Sequence, residues 1–173
     1  MFAMFMGIVD VSLAIWVQCT LTNATREATR FAITYSATNN GTSCSGSQSA
    51  CITQVAGYYS SGFLTGTNAK YLTVNYYTAN DLTNPAESCT SGACTANPNG
   101  ASTASMPQTL SNGTVVNYVN QPGNIVEAVV AGYPWKWLVP LPRFSAGTGV
   151  TLTAESMDVL GGLPVGSVTP PNP

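Results

Sequence analysis

The chain has 173 residues, of which only 12 are charged, five Lys or Arg and seven Asp or Glu. Its formal net charge of −2 provides no basic field for a phosphate backbone, which excludes nucleic acid as an expected partner. Histidine is absent, and with it His-based catalytic triads, imidazole metal sites and imidazole pH switches. Because 45% of the residues are hydrophobic, we expect a folded chain with a neutral polar surface rather than a disordered one.

The first element is an apolar segment. Only Gly7, Asp10 and Ser12 interrupt residues 1–17, and a run of this length is at the lower limit for a bilayer-spanning helix. It lacks the basic lead and the small-residue cleavage site of a secretory signal peptide. No Pro or Gly follows Gly7 until Gly41, which completes an Asn-Asn-Gly stop signal. We predict one helix over about residues 2–37, apolar on all sides in its first half and amphipathic in its second.

Lipid or neighbouring chains must cover the apolar half of this helix, because the rest of a small chain cannot enclose it. The alternative is a long core helix of a globular domain. A carboxylate such as Asp10 is costly in an apolar helix unless it is paired. Its partner would be the N-terminal amine of a neighbouring subunit or a hydroxyl on a facing helix; alternatively it lies at the lipid or solvent boundary without a specific role. The residues expected to pack against other subunits or the membrane are Phe2, Phe5, Ile8, Val9, Asp10, Leu13, Ile15 and Trp16.

The remaining chain predicts a short helix followed by strands. Helical spacing of apolar residues indicates a second helix over about residues 48–60, and residues 71–77 alternate as a strand. Residues 79–113 are rich in Pro, Gly, Asn and Ser and are predicted as a long loop. The Pro122-Gly123 turn signal suggests a hairpin between residues 114–119 and the strand that starts near 124, with Pro134 ending that strand or placing it at an edge. Residues 150–155 alternate as a closing strand, and the tail from 161 is too rich in Pro and Gly for regular structure.

This order predicts an α+β fold, with a small antiparallel sheet of three to four strands after the two helices. We divide the chain into an N-terminal helix over residues 1–38, acting as membrane anchor or filament core, and a globular head over residues 39–173.

The cysteines indicate an oxidising compartment. Four lie in polar segments as two close pairs, and local disulfides are favoured among the three possible connectivities. Cys19 lies inside the helix, either as a small apolar residue or, alternatively, as one half of an intermolecular bridge. The predicted disulfide cysteines are Cys44, Cys51, Cys89 and Cys94, and the possible glycosylation sites are Asn23, Asn40 and Asn112.

The helix segment resembles the N-terminal segment of TadE/TadG-like pseudopilins, which belong to tight-adherence (Flp-type) pilus systems. The matching positions are the Gly-Ile-Val-Asp step at residues 7–10 and the stretch Asn23, Ala24, Arg26, Glu27, Ala28, Arg30, Phe31 and Ala32. The apolar lead before Gly7 is shorter than is usual in the family, and Phe5 stands near where a processed pilin carries a glutamate.

The resemblance implies a structural subunit of an extracellular, bacterial pilus-like filament, anchored in the inner membrane before assembly. Copies of the chain and the pilus assembly machinery would be its partners, and no cofactor or metal is expected. Neutral polar surfaces suit identical copies that pack side by side. The alternative is a minor membrane-anchored pseudopilin or a tip adhesin.

Two other classes of function have weaker support in the sequence. The aromatic residues of the head could form a sugar-stacking or adhesion platform, although core and subunit contacts are the simpler explanation of them. They are Tyr58, Tyr59, Tyr76, Tyr77, Tyr133, Trp135 and Trp137. Catalysis is not expected, since no nucleophile elbow is present and the carboxylates form no recognisable acid pair. These scattered carboxylates are Asp81, Glu87, Glu127, Glu155 and Asp158.

Overall fold

A computed structural model describes residues 2–34, 38–39, 42–43, 47–79, 81–96, 107–109, 115–117, 123–137 and 149–161. Cys44, Asn40, Asn112 and the tail beyond residue 161 lie outside the described residues. The elements are α1 Phe2–Ile33, β1 Thr38–Asn39, β2 Thr42–Ser43, α2 Gln48–Tyr59, a 3-10 helix Gly66–Tyr71, β3 Leu72–Tyr77, β4 Glu87–Thr90, β5 Ala93–Ala96, β6 Pro107–Thr109, β7 Val115–Asn117, β8 Ile125–Lys136 and β9 Gly149–Val159.

The predicted α+β class is confirmed. The main sheet is antiparallel throughout and has the strand order β5-β4-β3-β8-β9. It has five strands rather than three to four, because β4 and β5 form a hairpin inside the segment that was predicted as a loop. Two short pairs, β1 with β2 and β6 with β7, lie outside this sheet.

The hairpin expected around Pro122-Gly123 is wrong. β7 pairs with β6, whereas β8 pairs with β3 on one side and β9 on the other. The physical reason is that β3 and β9 occupy both edges of β8, and this pairing buries Val126, Ala128 and Val130 in the core. The local turn preference of Pro122-Gly123 contributes less stability than the apolar burial that this long-range pairing provides.

The second half of β8 extends beyond β3 and pairs with β9 alone. The register shifts between Val130 and Tyr133, and Gly132 in this bulge has a φ of 66°, a conformation that side chains with a Cβ rarely adopt. Pro134 follows the bulge, at an edge position where its missing N–H removes no bond to β3. The strand continues to Lys136, so Pro134 marks an edge and does not end the strand.

The core lies between one face of the main sheet and the two helices. The second half of α1 contributes Val17, Leu21 and a row of alanines, and small residues at this spacing allow the helix to approach the sheet closely. A buried polar bridge joins three elements there. The Gln48 amide donates to the Ala32 carbonyl at 3.1 Å, and the Tyr76 hydroxyl donates to Gln48 Oε1 at 3.1 Å. This bridge satisfies a carbonyl at the end of α1 that has no partner within the helix.

Candidate assembly surface

The first half of α1 presents large apolar side chains that the single chain leaves open. Phe5 and Ile8 are 64% and 65% exposed, and Trp16 is 52% exposed. Val9 and Ile15 are exposed as well, Leu13 is half-buried, and the side chain of Phe2 lies outside the described residues. Met4 and Val11 belong to the same surface and were missing from the sequence-based set. We call the exposed residues Met4, Phe5, Ile8, Val9, Val11, Ile15 and Trp16 the apolar helix surface.

Asp10 does not belong to this surface. It is 1% exposed and lies on the helix face that continues through Ala14 and Val17 to the core residue Leu21. Asp10 interacts with another group of the chain. In the single chain, therefore, Asp10 faces the interior and not the apolar helix surface. A helical projection of the sequence gives this placement, because residues 10, 14, 17 and 21 follow the i, i+3, i+4 pattern.

Hydroxyl groups within α1 are satisfied by the helix itself. Ser12 Oγ donates to the Ile8 carbonyl at 2.7 Å, and Thr20 and Thr22 donate to the carbonyls four residues earlier at 2.9 Å. Such bonds lower the cost of placing Ser or Thr in an apolar environment, because no hydroxyl is left without an acceptor. The hydroxyl side chains of Ser12, Thr20 and Thr22 are thus compatible with burial in lipid or among other helices.

The exposed side of α1 changes character after Trp16. Cys19 is exposed on this side of the helix and has a free thiol. Asn23 and Arg26 are exposed further along, and Arg30 forms an ion pair with Glu27 at 3.2 Å. The apolar helix surface therefore ends abruptly, and a polar surface continues on the same side of the helix.

The head carries a disulfide between Cys89 and Cys94, which are directly opposite each other in β4 and β5. The hairpin docks on the start of α2, where Ser49 Oγ lies 3.2 Å from Cys94 Sγ. Gly92, with a φ of 81°, lies so close to Ala50 that a Cβ there would come within 3.2 Å of the alanine Cβ. The hairpin is therefore an integral part of the head.

The second predicted cysteine pair is only partly described. Cys51, near the start of α2, is buried and disulfide-bonded.

Within the described part of the chain, Glu87, Cys89 and Cys94 bring metal-ligating residue types together. The two cysteines are joined to each other and offer no thiolates, so the group does not suit a metal ion.

The aromatic residues do not form one exposed platform. Tyr76 is fully buried in the core, and Tyr77 and Tyr133 are each 8% exposed. Tyr58 and Tyr59 at the end of α2 are exposed and meet edge to face, with ring centroids 5.2 Å apart. Trp135 and Trp137 are half-buried. Tyr76 and Tyr133 belong to the hydrophobic core, and Trp135 packs against it.

A polar cluster centres on Glu127, which is 9% exposed on the sheet face opposite α1. Glu127 Oε2 accepts from Asn75 Nδ2 at 2.9 Å and from the Tyr77 hydroxyl at 2.8 Å, and Ser88 Oγ donates to Asn75 Oδ1 at 2.8 Å. Burial and the bond to Glu127 raise the pKa of Tyr77 to about 12. This cluster connects β3, β4 and β8 and is structural in character.

Two other carboxylates of the head accept hydrogen bonds from nearby backbone groups, and a third is partly buried. Asp81 Oδ1 accepts from the backbone N–H groups of Thr83 and Asn84 at 2.9 and 3.1 Å, which lowers its pKa. Asp158 Oδ1 accepts from the Val159 N–H at 2.8 Å, and partial burial raises the pKa of Glu87. The hydrogen bonds of Asp81 and Asp158 stabilise a turn and a strand end.

Comparison with known proteins bears on the helix. Residues 1–30 match the family of TadE-like proteins. The matched segment lies almost wholly within α1, and the resemblance indicated by its sequence is thereby confirmed. No curated protein and no solved structure shows a significant match to the chain.

The helix also meets the length and composition of a membrane span over Met4–Ile33, and only 22% of its most apolar 18-residue window is buried. The TadE-like match and this apolar helix together fit a pseudopilin associated with a tight-adherence pilus and suggest membrane anchoring.

Proposed function

We propose that the protein is a structural subunit of an extracellular, pilus-like filament and that it is anchored in the membrane by α1 before assembly. The observation that carries this proposal is the apolar helix surface on a TadE-like segment. A surface of this kind is stable only when lipid or another apolar surface covers it. In a filament, the corresponding surfaces of neighbouring copies would replace the lipid.

The energy available from such packing is large. A helix that buries on the order of 1,000 Å² gains about 25 kcal/mol gross before the entropic costs of association. Head-to-tail contacts that do not close on themselves produce helical filaments instead of rings. The few charges of the head limit electrostatic repulsion between identical copies that lie side by side.

Electron microscopy of the purified full-length chain after detergent removal tests the proposal. We expect filaments from the natural chain and none from a triple variant with Phe5→Ala, Ile8→Ala and Ile15→Ala. Alanine keeps the helical propensity and adds no charge, but each substitution removes about 1.5–3 kcal/mol of apolar burial. A matched control with Asn23→Ala and Arg26→Ala alters exposed residues beyond Trp16 and should still assemble.

The natural chain could instead remain monomeric while still associating with vesicles. That outcome would overturn the filament subunit and favour the minor membrane-anchored pseudopilin. If the triple variant forms filaments at the same protein concentration as the natural chain, the apolar helix surface does not hold the subunits together.

A further inference from the structure

A row of aromatic rings links α1 to the head at the level where the apolar helix surface ends. The Trp16 and Phe63 rings meet edge to face with centroids 5.5 Å apart, and Phe63 continues to Tyr133 at 6.3 Å. Tyr133 in turn meets Tyr71 at 5.6 Å, and the Lys70 ammonium lies 5.1 Å from the centre of the Tyr71 ring. We call Trp16, Phe63, Lys70, Tyr71, Tyr133 and Lys136 the collar.

The collar lies at the end of the head from which the first half of α1 emerges. Gln18 donates to the Thr153 carbonyl and Thr29 Oγ1 lies 3.0 Å from Ser156 Oγ, so β9 runs in the same direction as α1. The start of β9, which pairs with Trp135 and Lys136, is therefore the part of the strand nearest the apolar half of the helix. Lys136 thus lies at the same end of the head as Trp16.

Charge is distributed unevenly along the head. Both lysines of the chain, Lys70 and Lys136, are exposed at the collar end. The acidic residues lie further along the sheet: Glu87 pairs with Tyr76, Glu127 with Asn75, and Asp158 with Val126. Asp81 bridges to Thr78 just after β3, and Glu155 lies at mid-sheet opposite Val129. Among the described residues of the head, the collar end is thus the cationic end, and the other charged side chains are acidic.

We propose that the collar docks on the membrane–water interface while the subunit is anchored, with Lys70 and Lys136 in contact with the phosphate groups of anionic phospholipids. Trp and Tyr are favoured at this depth because their rings are apolar and carry one polar group, and lysines are attracted by anionic headgroups. The transition from an apolar to a polar helix surface at Trp16 places the interface at the same level. This inference rests on the membrane anchoring in the proposed function and adds the lipid chemistry that the head recognises.

Fluorescence quenching in vesicles tests the inference with the full-length chain. A variant with Trp16→Phe and Trp137→Phe retains Trp135, beside Lys136, as the single tryptophan of the chain. The vesicles contain phosphatidylcholine and phosphatidylglycerol, with bromine either near the headgroup or near the chain end of the lipid. We expect Trp135 to be quenched more strongly by the shallow bromine than by the deep bromine.

Substitution of the lysines tests the headgroup contact. Each basic residue near an anionic surface is worth about fivefold in binding, so Lys70→Gln with Lys136→Gln should lower the ratio of docked to undocked heads roughly 25-fold. Quenched and unquenched fluorescence lifetimes give this ratio. A matched control with Glu155→Gln and Asp158→Asn changes two charges away from the collar and should not lower it. Circular dichroism checks that each variant is folded.

The results of these experiments distinguish a failure of collar docking from a failure of membrane anchoring. If the natural chain does not float with vesicles, membrane anchoring itself fails. If it floats but Trp135 is not quenched, membrane anchoring stands and the collar inference is overturned. If Trp135 is shielded only in assembled filaments, the collar contacts a second copy of the chain and not the lipid, which also overturns the inference. Quenching that is insensitive to the lysines and to phosphatidylglycerol would overturn the contact with anionic lipid.

Discussion

The two halves of α1 belong to one continuous helix but have opposite surroundings. In the second half, Leu21, Ala24 and Ala28 are fully buried against the head. In the first half, Phe5 and Ile8 are mostly exposed although they are larger and more apolar than those alanines. Hydrophobicity therefore does not decide which half is buried within the chain. The small residues of the second half allow close packing on the sheet, whereas the large residues of the first half remain available for lipid or another subunit.

The largest expected effect contrasts one buried and one exposed residue on this helix. Leu21→Ala removes a fully buried side chain from the core, and we expect the free energy of unfolding to fall by about 3 kcal/mol. Ile15→Ala is the matched control, because Ile15 is 58% exposed and its truncation leaves no cavity in the head. Chemical denaturation in a mild detergent measures both. Equal losses in the two variants would contradict the division of α1 into a packed half and an open half.

The next largest effect concerns the disulfide of the β4–β5 hairpin, which we expect to stabilise the head. Replacing Cys89 and Cys94 by alanine opens a short loop, and the chain-entropy argument gives a loss of about 2 kcal/mol in the free energy of unfolding. Denaturation of the double variant measures this loss. Cys19→Ala serves as the control because its thiol is free and exposed, and it should be nearly neutral. A double variant as stable as the natural chain would show that the bond between Cys89 and Cys94 adds little to the stability of the head.

High pH should lower the stability of the head, because it ionises the buried phenol of Tyr77. Its pKa is raised to about 12 from 10.0, chiefly by burial and also by its bond to Glu127. Because the folded chain holds the neutral phenol, this contribution is fully present below pH 10.0 and is lost as the pH rises towards 12. In Tyr77→Phe the decline of stability with pH should become shallower. Burial also raises the pKa of Tyr133, so part of the decline should remain.

Denaturation at a series of alkaline pH values measures the change in slope. Tyr58→Phe is the control, because its side chain is exposed at the end of α2. An unchanged slope in Tyr77→Phe would show that the cluster around Glu127 does not hold the phenol in its neutral form.

The smallest expected effect concerns the polar surface of α1. Glu27→Gln removes the ion pair with Arg30, whose side chain is 72% exposed, and should cost only about 0.3 kcal/mol of stability. The loss should diminish further when salt is added. Thermal unfolding at low and high salt measures it. A loss of several kcal/mol would mean that this pair has a structural role beyond a solvated surface.

Part of the head could be predicted because its signals are local. Ser47 caps α2 by accepting from the Ala50 N–H at 3.3 Å, and the alternation of residues 72–77 matches the burial of Leu72, Val74 and Tyr76. The hairpin of β4 and β5 could not be predicted in the same way, because its sequence has the composition of a loop. It becomes part of the sheet through pairing with β3 and contact with α2, both of which are distant in sequence.

The sequence by itself determined the long apolar helix, its TadE-like character, the α+β class and the scarcity of charge. These follow from composition and from short-range periodicity, which need no knowledge of the rest of the fold. The tertiary structure alone decided which strands are neighbours and that Trp16, Phe63, Tyr133, Tyr71 and Lys70 meet in one row at the helix end of the head. Such features depend on contacts between residues far apart in the chain, and the pattern of a single segment does not encode them.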